Sequence, residues 1–81
     1  MPPSSDPPPA QLLAWRREVG NRIREQRLWR NLTQEGLAER VGVERRTIVR
    51  IELGITSPPL DRILQIALAL DVPPSALMPD Q

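Results

Sequence analysis

The 81-residue sequence contains no cysteine and no histidine. The first absence excludes disulfide staples, thiolate metal sites and a thiol nucleophile; the second removes the usual general base and the commonest transition-metal ligand. Phenylalanine and tyrosine are missing as well, so Trp15 and Trp29 are the only aromatic side chains. A reaction site built from Ser, Asp and Glu alone would still need a deep pocket, and a chain of this size buries only about 60% of its unfolded surface. The composition predicts one small domain that is not an enzyme and takes no metal or cofactor. No apolar run approaches membrane-spanning length: the longest, Ile63 to Leu70, is short and interrupted by Gln65. Met1 is followed by prolines and an aspartate instead of a basic segment and an apolar stretch. Neither a secretory signal nor membrane association is expected, and the predicted location is cytoplasmic.

Lysine is also absent, so all eleven basic residues are arginine. The formal net charge of +1 conceals an uneven distribution. Between Trp15 and Glu52 stand ten arginines and six acids, an excess of four positive charges. Between Ser57 and Gln81 stand one arginine and three aspartates, an excess of two negative charges. Such sign asymmetry within one small domain predicts a basic face for a polyanion.

Five of the ten prolines fall in Met1 to Pro9, with two serines and an aspartate. That composition buries little apolar surface and predicts an extended, disordered tail over residues 1–9, ahead of a domain over residues 10–78. The tail has no basic residue and so no charge for a polyanion.

The rest of the chain reads as short helices. Leu12, Trp15, Val19 and Ile23 recur at three- and four-residue spacing, which predicts one face of a helix from Ala10 to about Arg30, closed by Asn31 in a left-handed position. Thr33 is a good N-cap for a second helix, Gln34 to Arg40, burying Leu37 and Ala38 and then Val41. After the turn Val41-Gly42-Val43, a third helix is expected from about Glu44 to Leu53, burying Ile48 and Ile51 and ending at Gly54. A fourth, Leu60 to Leu70, carries Leu60, Ile63, Leu64, Ala67 and Leu70 on one stripe, and a last short helix at Ser75 to Met78 tucks in Leu77. Nowhere does period-two alternation predict a strand.

Two short helices joined by a glycine-containing turn, the second rich in arginine, form the pattern of a helix-turn-helix. A B-DNA major groove admits one α-helix, and the planar fork of arginine matches the O6 and N7 acceptors of guanine. Arg45 and Arg46 lie in the first turn of the third helix and Arg50 one turn further, opposite Ile48 and Ile51. Taken alone, three arginines on one helix favour a merely solvated face.

Neighbouring residues separate the two readings. Ile23-Arg24 and Arg27, Leu32-Thr33-Gln34-Glu35, Leu37-Ala38, Val41-Gly42-Val43, Ile48, Ile51-Glu52 with Gly54, Pro58, and Ala67 with Leu70 stand in this order over about three quarters of the chain. Together they resemble the helix-turn-helix family of phage repressors, the lambda-repressor and Cro type. The resemblance implies an all-α, five-helix lambda-repressor-like domain with its helix-turn-helix in helices 2 and 3. It implies a sequence-specific transcriptional regulator that binds double-stranded DNA as a homodimer on a near-palindromic site. By the same resemblance, Arg45, Arg46 and Arg50 would read bases. Gln34, with Thr33 beside it, and Thr47 would contact phosphates, although Thr47 suits a local backbone hydrogen bond equally well. Arg27 and Glu52 would form an internal ion pair.

Some residues depart from that pattern. Glu44 stands where a serine N-cap is usual, and Ile55 where a basic residue commonly follows the glycine. Leu12, Leu13 and Trp15 lengthen the first helix and would either extend the core or form a contact surface. Trp29 is expected to pack against the protein body. A second reading therefore stands beside the first: the fold serves as an adaptor or antitoxin, gripping a protein partner through Leu12, Leu13 and Trp15, or through Leu53 and Ile55. Nonspecific, nucleoid-type DNA binding is a third.

Overall fold

The computed structural model describes residues 9–80. Among them the chain forms α1 (Ala10–Trp29), α2 (Gln34–Val41), α3 (Arg45–Leu53), α4 (Leu60–Leu70) and a 3₁₀ turn, Pro74–Leu77, with no strand. The expected tail lies outside the described residues, except for Pro9. The expected fifth helix is only the 3₁₀ turn. Pro73 and Pro74 supply no N–H groups and Pro79 follows closely, so the segment between them closes one tight turn and no α-helical ladder.

Local chemistry sets the helix ends. The carbonyl of Pro9 accepts from the N–H groups of Leu12 and Leu13 and so starts α1. Asn31 closes that helix with φ 57°, one of two non-glycine residues in the left-handed region among the described residues; Asp71, with φ 55°, closes α4. Thr33 caps α2, its Oγ1 accepting from the Gly36 N–H at 2.9 Å. Glu44 occupies the N-cap position of α3 without a side-chain cap bond, as its poor capping chemistry leads one to expect.

The core is built from Ile23 of α1, Leu37 and Ala38 of α2, Ile48 and Ile51 of α3, Ile63, Ile66, Ala67 and Leu70 of α4, and Leu77. Two expectations for α4 need correction: Leu60 is 68% exposed, and Ile66, absent from the predicted stripe, is fully buried. The helix enters the core only from Ile63 onward, so its inward face runs through Ile63, Ile66, Ala67 and Leu70. On α1 the predicted face is likewise buried only in its second half. Ile23 is inaccessible and Val19 packs on the core, whereas Leu12 and Trp15 are about 40% exposed. Trp29 does not pack; it is 82% exposed on the outer side of α1.

The position of α3 depends on how closely α1 crosses it. Gly20 of α1 is buried, and a Cβ there would fall against the carbonyl oxygens of Ile51 and Glu52. One turn away, Gly54 ends α3 with φ 73°, and a Cβ on it would meet Arg17 of α1. Both glycines thus let the backbone of α1 rest directly on the C-terminal end of α3.

Candidate nucleic-acid interface

The inward side of α3 is Ile48, Ile51 and Glu52, all buried. Its outward side carries Arg45, Arg46 and Arg50, all exposed, with Thr47 and Val49 half-buried. The isoleucine anchor therefore turns the guanidinium groups to solvent. Glu44, Arg45, Arg46, Val49 and Arg50 together line a shallow, open concavity along this side. Val49 was not among the residues singled out from the sequence. An apolar β-branched residue on a helix reads as core by default, and the only clue was its position four residues after Arg45 and one before Arg50.

Arg46 Nε lies 2.7 Å from Glu44 Oε2, so the glutamate that fails as a cap pairs with the neighbouring arginine. The pair is about 70% exposed on both sides and is worth at most about 1 kcal/mol, which leaves Arg46 free to exchange it for another acceptor. Among the described residues Arg45 and Arg50 form no ion pair. Other arginines are engaged within the fold. Arg22 bonds Glu18 and Asp80, which push its pKa still further up, and Arg30 and Arg40 donate to the carbonyls of Asp71 and Ala69.

Behind α3, Arg27 binds Glu52 with two donors: Nε to Oε2 at 2.7 Å and Nη2 to Oε1 at 3.1 Å. A third donor, Nη1, reaches the Leu32 carbonyl at 2.8 Å. One guanidinium thus joins α1, the link into α2 and the last turn of α3. Gln34 Nε2 adds a bond to Glu52 Oε1 at 3.2 Å, which the sequence did not suggest. Gln34 is half-buried, Thr33 is exposed and uses its hydroxyl oxygen for the cap, and Thr47 is half-buried on the flank of α3. Since Thr33 accepts from Gly36, its own O–H remains available to donate.

Of the apolar residues set aside as contact candidates, Leu53 and Ile55 are exposed at the end of α3. Leu12 and Trp15 border an apolar cleft of ~260 Å³ with Val19, Ile51, Pro58 and Met78; Leu13 is half-buried and does not line it. No helix among the described residues is long and apolar enough to cross a membrane.

The helix-turn-helix family model matches residues 23–77, from the inner half of α1 to the 3₁₀ turn. The chain belongs to the helix-turn-helix family. Within it, the HTH-type transcriptional regulator y4wC of Sinorhizobium fredii is 39% identical over 62 residues, 76% of this chain and 43% of that protein. An HTH-type transcriptional regulator of Methanothermobacter thermautotrophicus is 56% identical over 48 residues, 59% of this chain and 70% of that one. This helix-turn-helix chain therefore spans less than half the length of its Sinorhizobium relatives. Among solved structures, the restriction-modification controller protein C.AhdI from Aeromonas hydrophila is 36% identical, with a TM-score of 0.74 over 85% of this chain and 94% of that one.

Proposed function

We propose that this helix-turn-helix protein is a sequence-specific, DNA-binding transcriptional regulator of the phage-repressor type, with α3 lying in the major groove. The observation that carries the reading is the geometry of α3. Arg45, Arg46 and Arg50 project from a helix fixed to the core by Ile48 and Ile51, on the side away from the protein body. Arginine forks so presented match guanine O6 and N7. Phosphate contacts would come from Gln34, Thr33 and Thr47, with the N-terminus of α2 favouring an anion. The names of the relatives, which are transcriptional regulators, support a role at promoters.

The protein acts as a homodimer, with two copies of α3 one helical turn of DNA apart on a near-palindromic site. The apolar cleft beside Leu12, Trp15 and Met78, and the exposed Leu53 and Ile55, offer surface to the second copy. The same surface supports the second reading, in which a different protein occupies it. Selecting bound duplexes from a random pool at physiological salt tests the main reading. A two-fold motif with guanines in each half is expected. Recovery of no motif would overturn specific recognition, and a motif without symmetry would overturn the dimer.

A further inference from the structure

We propose that Val49 is a specificity-determining residue, reading the C5-methyl group of a thymine that lies among the guanines engaged by Arg45, Arg46 and Arg50. The inference rests on the reading of α3 as the groove-entering helix and goes one base further. Val49 follows Arg45 by four residues and Arg46 by three, so its side chain leans over the first turn of α3, between the stems of the two arginines. It precedes Arg50 directly. The concavity lined by Glu44, Arg45, Arg46, Val49 and Arg50 is thus rimmed by long charged side chains around one short apolar one. Val49 is only half-buried, and it is not among the apolar residues that pack against the core.

What such a surface reads follows by elimination. A valine side chain neither donates nor accepts a hydrogen bond. Pressed against the N4 amino group of cytosine, the N6 or N7 of adenine, or the O6 of guanine, it would strip water from a polar atom and return nothing, an unfavourable exchange. Among the major-groove edges of the four bases only thymine carries an apolar group, the C5-methyl. The arginines alone select guanine. Val49 adds a thymine requirement and rejects cytosine at the same position.

A competing role for Val49 is to prop the arginine stems, and the test separates the two. Wild-type protein and Val49→Ala are titrated on the selected operator and on duplexes in which each thymine is replaced, one at a time, by deoxyuridine, which lacks only the methyl group. For wild type, one substitution per half-site is expected to weaken binding roughly four-fold, the ratio for losing one methyl-sized apolar contact. Val49→Ala should bind less tightly and show no difference between thymine and deoxyuridine at that position. Indifference of wild type to every deoxyuridine overturns the proposal, as does equal deoxyuridine sensitivity in Val49→Ala or a selected half-site without thymine. These outcomes leave the DNA reading standing; absence of any selected motif removes both. Alanine is the better helix former, so Val49→Ala is expected to fold, and circular dichroism checks it. If it does not fold, the wild-type scan still overturns the proposal when every deoxyuridine binds as well as thymine.

Discussion

Gly20 lies against the last turn of α3 so closely that a Cβ on it would stand 2.5 Å from the carbonyl oxygen of Ile51 and overlap that of Glu52. The atoms in the way are backbone and cannot swing aside as a side chain would. Gly20→Ala must therefore push α1 off α3. A loss of about 1–3 kcal/mol is expected, the range for overpacking a tight interior. Gly54→Ala should lose at least as much, since a Cβ would meet Arg17 at 2.8 Å and φ is 73°. Urea unfolding followed by circular dichroism checks both. Retention of wild-type stability by Gly20→Ala would show that the crossing tolerates more space than its geometry implies.

The ion pair behind α3 predicts an asymmetry between single and double substitutions. Arg27→Met leaves the Glu52 carboxylate buried without its cation, and Glu52→Leu does the reverse. Each should cost about 3–5 kcal/mol. The double variant removes both charges together and should recover most of that loss. The recovery stays incomplete because the Leu32 carbonyl still lacks its Arg27 donor. Chemical denaturation of the four proteins closes the cycle, and additive losses would show that the two residues act independently.

Thr33 combines a structural duty with an expected contact, and two substitutions tell them apart. Thr33→Ala loses the cap on Gly36 and should destabilise by about 1 kcal/mol. Thr33→Asp keeps a capping oxygen, so thermal stability should hold within about 0.5 kcal/mol, while its charge would repel a phosphate. DNA binding by Thr33→Asp should then weaken equally on the operator and on arbitrary sequences. Unchanged binding would remove Thr33 from the phosphate contacts.

The parts of this molecule legible in the sequence are those governed by neighbours in the chain. Thr33, Asn31, Gly42 and Gly54 mark helix ends because capping and left-handed φ are local properties, and all four sit at those ends. The stripe of α4 was harder. A helix so rich in leucine and isoleucine fits two neighbouring faces almost equally, and only tertiary packing chooses Ile66 over Leu60. Gly20 was illegible for a similar reason. By local propensity a glycine within a helix is only a cost, and its purpose appears when α3 is laid across it. The Gln34–Glu52 bond joins residues eighteen apart in the chain and leaves no periodic trace. The fifth helix failed because three prolines leave too few N–H groups to propagate it. Trp29 shows the converse error: apolar size predicts burial, but its position does not face enough protein to achieve it.

The most direct measurement of the central claim is the affinity of Arg45→Ala, Arg46→Ala and Arg50→Ala for the selected operator and for a shuffled duplex at the same salt. Base-reading arginines predict a loss of about 1–3 kcal/mol on the operator, with binding to the shuffled duplex nearly unchanged. Equal losses on both duplexes would mean that the arginines supply only charge, and the assignment of α3 as a reader of sequence would be wrong.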